Sequence, residues 1–415
     1  MLGRTRHWIS IALVLGFVFR LAFVLATFDR PLEGDEVGYD QLAWNVASGH
    51  GYCFGLTDAE RIPTAARGPG YILLLAAVYR VAGHHVLPVL LLQALLDTLC
   101  LWLVWRIGSR IFSDPALAAG GALLYAVYPP FILYSGQLVT ETYVTLTVLL
   151  AIFFGLEWAI GGRRSGLALS GLAIGLCALS KPQIAPVAVL IALAGRPNLR
   201  SREFWLAATL QVAVVSAVLA PWIIRNAVTF HALIPGVAVG GLAFWGGTGP
   251  ANGLSIGGLG DPNVPAHVTA TIRGMTELQR DHWFYAEGLR VIERDPAGYA
   301  VLMFKKLMRL WFNLLHDAPP SRASLAIAAF NALALGLCGW GIWRMRPPAA
   351  AVRLLVGLLA YFSVVHMLFF AVVRYSMPCY AYLFCFTGAA AFTLPGMPGA
   401  SAGSGRRTAP AAAGR

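Results

Sequence analysis

The stretch Leu32-Glu33-Gly34-Asp35-Glu36-Val37-Gly38-Tyr39-Asp40 places four carboxylates in nine positions, in a chain that has only 19 Asp and Glu among 415 residues. Carboxylates gathered this way can take protons when partial desolvation raises their pKa, or supply hard oxygen ligands to a divalent cation. A solvated loop between two helices would account for the cluster equally well on charge alone. Directly afterwards Tyr39, Leu42, Ala43 and Val46 recur at three- and four-residue spacing, the pattern of a helix that begins at the acidic turn.

The elements that must hold this turn are membrane helices. The chain is 58% hydrophobic and 12% charged, where a soluble domain has about 25% charged residues, and its mean hydropathy is +0.67. The expected fold is therefore an all-α integral membrane protein. The first apolar run, Ile9 to Phe28, suits a spanning helix of about 20 residues better than a signal core. Nine further spans follow: His85–Trp105, Asp114–Tyr128, Glu141–Gly161, Leu167–Leu179, Pro182–Arg196, Phe204–Pro221, Leu325–Trp343, Leu354–Val373 and Met377–Leu394. That makes about ten, in one polytopic domain over residues 1–395, with a disordered cytoplasmic tail at 396–415. Arg4 and Arg6 precede the first span, and Arg106, Arg110, Arg163, Arg164, Arg196, Arg344, Arg346 and Arg353 fall in short loops on the same side. By the positive-inside rule both termini are cytoplasmic in an inner membrane.

Two long segments are then outside. Residues 29–83 carry the acidic turn and a short apolar helix, Gly68–Gly83, read as interfacial or re-entrant. Residues 223–321 begin glycine-rich and end in an amphipathic stretch, Ala297–Leu315, with Lys305, Lys306 and Arg309 set against Leu302, Leu307, Leu310 and Trp311.

This topology collects unusual polar residues at the outer ends of spans: Asp35 and Glu36, then Arg67, Glu141, Lys181, Arg225, Asn226, Arg374 and Tyr375. Charges near hydrocarbon are costly and so are paired, functional or snorkelling. Both signs on one side of the membrane point to a site that binds an anion beside a carboxylate. Asp35, Glu36, Asp40 and Glu141 could ligate a divalent metal, a candidate cofactor. The adjacent His84 and His85 lack metal-ligand spacing and read as interface residues. No Walker pattern indicates a nucleotide, the net charge of +12 is distributed as short loops require rather than as a nucleic-acid patch, and the cysteines form no zinc spacing, although Cys53 and Cys379 could pair.

Several of these stretches resemble, in order, the motifs of the GT-C glycosyltransferases, in their family 39 / ArnT-like (protein O-mannosyltransferase-like) branch. Gly34-Asp35-Glu36 with Tyr39 resembles the first-loop motif. Arg67-Gly68-Pro69 resembles an Arg-Pro-Pro segment with Gly68 for the first proline, and Ser180-Lys181-Pro182 a Thr-Arg-Pro with lysine for arginine. Thr140-Glu141-Thr142, Pro221-Trp222-Ile223-Ile224-Arg225-Asn226 with Gly240, Gly241 and Trp245, and Arg374-Tyr375 with Pro378 also match.

The resemblance implies a membrane enzyme that takes a sugar from a polyprenyl-phosphate carrier and passes it, with inversion, to a protein, lipid or cell-envelope glycan on the outer, periplasmic face. It places the catalytic base at Asp35, with Glu36 orienting it or binding a metal. Arg67, Lys181, Arg225 and Arg374 would stabilise the departing phosphate, Arg225 and Arg374 foremost. Two alternatives use the same charges: a ligase or polymerase acting on diphosphate-linked glycans, and a lipid or sugar transporter. The transporter is less well matched, because its binding residues belong at mid-membrane in repeated halves.

Overall fold

The computed structural model describes residues 2–55, 57–249, 264–315 and 319–394. The expected disordered tail and the glycines Gly253, Gly257, Gly258 and Gly260 lie outside these residues. The chain opens with α1 (Leu2–Thr27). The first outer segment holds α2 (Asp35–Ala47), a two-stranded antiparallel pair β1 (Cys53–Phe54) and β2 (Ile62–Pro63), and α3 (Pro69–Ala82). Then come α4 (Val86–Ile111), α5 (Pro115–Val127), α6 (Pro129–Ser135), α7 (Glu141–Ala159), α8 (Arg164–Ala178), α9 (Val187–Gly195) and α10 (Arg202–Phe230). The second outer segment contributes α11 (Gly240–Gly246), α12 (Ala266–Ile272), α13 (Glu277–Arg294) and α14 (Pro296–Phe312). The described chain finishes with α15 (Arg322–Met345), α16 (Ala349–Leu368) and α17 (Met377–Phe392).

The fold is the expected all-α membrane architecture, with the short hairpin of the first outer segment as its one pair of strands among the described residues. Six helices, α1, α4, α7, α10, α15 and α16, are long and apolar enough to cross a membrane. The pair α5 and α6, bent by 56° where Pro129 and Pro130 interrupt the helix, makes a seventh if taken as one span. Helices α8, α9 and α17 occupy the other three expected spans but have 15, 9 and 16 residues, fewer than the ~20 a perpendicular span needs. By length and composition, seven of the ten expected spans are matched among the described residues.

Helix α17 is the core. Tyr380, Tyr382, Phe384 and Phe386 are all fully buried. Helix α5 crosses it so closely that a Cβ on Gly388 would lie 2.0 Å from the Gly121 nitrogen and 2.2 Å from the Gly120 carbonyl carbon, so no side chain fits there. Where α1, α4 and α5 meet, Arg20 and Asp97 form an ion pair with side chains 0% and 1% exposed. Tyr125 donates to the other Asp97 oxygen at 2.5 Å, and Arg20 Nη1 donates to the Gly16 carbonyl at 2.9 Å. Every strong donor and acceptor in that knot is satisfied internally, as a charge pair among membrane helices requires.

Two expectations are corrected. Pro221 does not end a span: α10 runs on to Phe230 and places Trp222, Arg225 and Asn226 inside the helix. Nor do Lys305, Lys306 and Arg309 form a solvated face of α14. Only Lys305 is exposed, while Lys306 is 3% and Arg309 1% exposed, and Val301 and Phe304 face outward. The reason is hydrogen bonding: Lys306 donates to the Gly247 and Phe369 carbonyls and Arg309 to the Leu315 carbonyl. Cys53 and Cys379 are both buried and unpaired.

Candidate active site

Gly34 sets up the site. Its φ of 55° lies in the region that glycine adopts without strain, and it turns the chain so that Asp35 begins α2. Arg67 precedes α3, whose Gly68 abuts the end of α8: a Cβ on Gly68 would fall 2.1 Å from the Leu179 carbonyl oxygen. The Tyr71 amide donates to Ser180 Oγ at 2.7 Å, so the loop bearing Arg67 is tied to the turn bearing Lys181. Gly68 is thus demanded by packing at the position where the resembled motif has proline. Glu141 opens α7. Arg374 and Tyr375 lie in a 3₁₀ turn, Val373–Ser376, just ahead of α17.

These elements converge on Asp35. Its Oδ1 accepts from Arg67 Nη2 at 2.9 Å and its Oδ2 from Arg374 Nη2 at 2.8 Å. Arg374 Nε also faces Glu141 Oε1 at 3.3 Å, so one guanidinium bridges two carboxylates. Glu141 Oε2 is buried with no hydrogen-bond partner among the described residues. Arg67 stacks over the Tyr39 ring at 4.4 Å, and Lys181 lies 5.3 Å over the Tyr375 ring. Burial raises the Asp35 carboxyl, but the Arg67 and Arg374 guanidiniums outweigh it and hold it down to about 2. Its side chain keeps 28% exposure. Beside it opens a small cavity of about 30 Å³, lined by Glu141, Lys181, Arg374 and Tyr375 together with apolar Val144, Ile184, Phe362 and Pro378.

The other expected residues are placed differently. Glu36 is 5% exposed and fully engaged: Arg30 donates to both its oxygens at 2.6 and 2.7 Å, and the Leu138 amide to Oε1 at 2.8 Å. It pins the first turn of α2 to the chain before α7, which makes it a positioning residue for Asp35. Asp40 accepts from Tyr79 at 2.6 Å and His84 at 3.0 Å, and His84 stacks on Trp44. Arg225 does not reach the cluster. It donates to the Thr64 carbonyl at 2.8 Å and the Tyr52 carbonyl at 2.9 Å, and Tyr52 in turn donates to the Arg67 carbonyl at 2.8 Å. Asn226 is fully buried and donates to Ile234 O at 3.1 Å. Arg225 therefore braces the loop that carries Arg67.

Of the four carboxylates that could hold a divalent metal, three are engaged on their oxygens, while Glu141 Oε2 has no partner among the described residues. Both Asp35 oxygens hold arginines, Glu36 holds Arg30 and an amide, and Asp40 points to Tyr79 and His84. Among the described residues no three His, Cys, Asp or Glu side chains gather as a metal set.

Two residues escaped the sequence reading. His366 on α16 stacks on Tyr375 at 5.0 Å and donates from Nδ1 to the Phe370 carbonyl at 2.9 Å; a lone histidine in an apolar run gave no signal. Glu277, at the start of α13, accepts from Thr64 Oγ1 at 2.9 Å and from the Ala65 amide at 3.0 Å, docking the second outer segment on the first.

Fold and site together define a polytopic membrane protein with a cluster of cations and carboxylates gathered around Asp35. Residues 66–222 match the family described as dolichyl-phosphate-mannose-protein mannosyltransferase. Among solved structures the chain is similar to the archaeal oligosaccharyltransferase AglB from Archaeoglobus fulgidus in complex with an inhibitory peptide and a dolichol-phosphate. That match has TM-score 0.58 and 14% identity, and covers 93% of this chain and 50% of AglB. The apo form of the Archaeoglobus fulgidus enzyme gives TM-score 0.56 and 14% identity, with 92% and 50% coverage. ArnT from Cupriavidus metallidurans in the apo state gives TM-score 0.44 and 17% identity, with 93% and 78% coverage. The chain spans about half the length of the oligosaccharyltransferase it matches. No curated protein matches the sequence.

Proposed function

We propose that this protein is an inverting glycosyltransferase that moves a sugar from a polyprenyl-phosphate carrier to an acceptor on the outer face of the membrane. The observation that carries the reading is Asp35 held between Arg67 and Arg374, with Lys181 and Glu141 beside a cavity whose wall is partly apolar. The family match over residues 66–222 and the dolichol-phosphate in the AglB structure support a lipid phosphate as the carrier class.

In the reaction an acceptor hydroxyl attacks the anomeric carbon from the face opposite the phosphate. The bond from that carbon to the phosphate oxygen breaks, and Asp35 takes the hydroxyl proton. The phosphate leaves as a monoester and gains one negative charge, which preorganised cations stabilise most where it develops. The cluster has three cations, Arg67, Lys181 and Arg374, against two carboxylates, Asp35 and Glu141. Its net charge of plus one matches the single charge of a phosphodiester donor better than the larger charge of a diphosphate. Arginines that move from Asp35 to the phosphate also cease to depress the Asp35 pKa, so donor binding strengthens the base.

Orientation is read from the opposite end of the bundle. Arg110 and Arg163 both pair with Glu157 at the end of α7, and Arg353 donates to the Ala194 carbonyl at the end of α9 at 2.6 Å. The basic loops thus share one end, which the positive-inside rule assigns to the cytoplasm. The acceptor supplies the attacking hydroxyl, from a protein, a lipid or an envelope glycan.

The test is sugar transfer by the purified protein from a panel of polyprenyl-phosphate sugars, with Asp35→Asn beside it. Transfer or slow hydrolysis of one donor by the wild type alone supports both class and base. Activity only on diphosphate-linked glycans, or only translocation of a lipid, would replace the reading.

A further inference from the structure

Lys306 is a buried amine for which no described carboxylate serves as partner, and burial and the neighbouring Arg309 lower its pKa to about 7. It lies on α14 at 3% exposure, and its Nζ donates to the carbonyls of Gly247 at 2.8 Å, Phe369 at 3.0 Å and Leu368 at 3.4 Å. Tyr299, two turns earlier on the same helix, donates to the Leu368 carbonyl at 3.0 Å and carries Lys306 over its ring at 5.0 Å. These carbonyls are helix ends: Gly247 caps α11, and Leu368 and Phe369 finish α16. Helix C-termini leave carbonyls without partners and carry partial negative charge, so one amino group shared by two of them satisfies both.

The two ends abut. A Cβ on Gly247 would lie 2.5 Å from the Phe369 carbonyl oxygen, and the Phe244 and Phe369 rings meet at 5.7 Å. Beyond Phe369 the chain makes a short connection and then enters the turn that carries Arg374. His366 holds the Phe370 carbonyl from the other side and stacks on Tyr375. The arm bearing Arg374 is therefore fixed at its root by α14. A methionine would fill the space without the cost of burying a polar group, so the amino group is there for the carbonyls it holds.

We infer that Lys306 is a positioning residue of the active site, joining the ends of α11 and α16 so that Arg374 meets Asp35 and Glu141. Its effect on transfer rests on the function proposed above; its effect on the chain does not. The first measurement is amide hydrogen exchange on the full chain in detergent. Lys306→Met should speed exchange about tenfold in peptides covering residues 243–249 and 368–376, with α4 unchanged. Wild-type rates in 368–376, or uniform acceleration that includes α4, overturn the inference. If that variant does not fold, Tyr299→Phe decides: it should speed 368–376 by about threefold and leave 243–249 alone, and wild-type exchange there overturns it.

The second measurement uses whichever donor the wild type transfers. Lys306→Met should lower kcat with little change in acceptor KM, and combined with Arg374→Lys it should lose no more than Arg374→Lys alone. Additive losses would show that Lys306 acts elsewhere. If the wild type transfers no donor, the proposed function fails and the exchange experiment still tests the positioning role.

Discussion

Two arginine–carboxylate sites in this molecule use the same groups to opposite ends. At Arg20 and Asp97 both side chains are at most 1% exposed, and the second Asp97 oxygen is taken by Tyr125. At Asp35 the carboxylate keeps 28% exposure, Arg374 is shared with Glu141, and one Glu141 oxygen has no partner among the described residues. A closed pair has nothing left to offer a ligand. A shared, half-open one can exchange partners without leaving a charge stranded. The difference between a structural and a chemical ion pair here is spare valence, and residue type does not reveal it.

That contrast can be broken in order of expected effect. Asp35→Asn should cut transfer about 10³-fold and lower the unfolding midpoint by less than a break in the buried knot does, since Asp35 is part-exposed; a variant that kept its rate would remove Asp35 as the base. Asp97→Ala should do the reverse, costing about 3–5 kcal/mol of stability because it strands a buried arginine. A thermal melt in detergent close to wild type would show the knot to be dispensable. Arg374→Ala should lower transfer about 10²-fold, read as kcat at saturating donor, and Arg225→Ala only about threefold to tenfold, as the brace beneath Arg67 loosens. Equal losses would return Arg225 to the phosphate site.

The smallest effect is with pH. Asp35 is held down to about 2 in the folded chain, against an unfolded value of about 3.9. A depressed carboxyl contributes stability that is full above the unfolded value and is lost as pH falls through the folded one. Between about pH 4 and pH 2 the wild-type unfolding midpoint should therefore fall further than that of Asp35→Asn. Parallel curves would mean that the two arginines do not favour the charged form.

How much of this was legible in the sequence depended on how rare each signal was. Charges are scarce in an apolar chain, so Asp35, Arg67, Glu141, Lys181 and Arg374 stood out, and the fold brings all five together. Arg225 stood out equally and was misplaced, because Pro221 reads as a helix end and α10 instead continues through it. Glu36 and Asp40 share the acidic turn, but successive helical positions point in different directions, and only Asp35 faces the cations. Lys306 was set on the wrong face because periodicity weighs a side chain's polarity, not the unpaired carbonyls it will meet. The ten-helix pattern located the helices well but not their lengths, since α8, α9 and α17 are buried by neighbours rather than extended.

The contact of α5 with α17 at Gly120, Gly121 and Gly388 carries a consequence for how this gene tolerates change. A single added methyl at Gly388 has no room, and α17 begins where the Arg374 turn ends. Random mutagenesis should therefore recover variants that insert and accumulate yet are silent, mapping to glycines in an apolar helix with no chemistry of their own. Such alleles would look like losses of a catalytic group while every catalytic codon stayed intact.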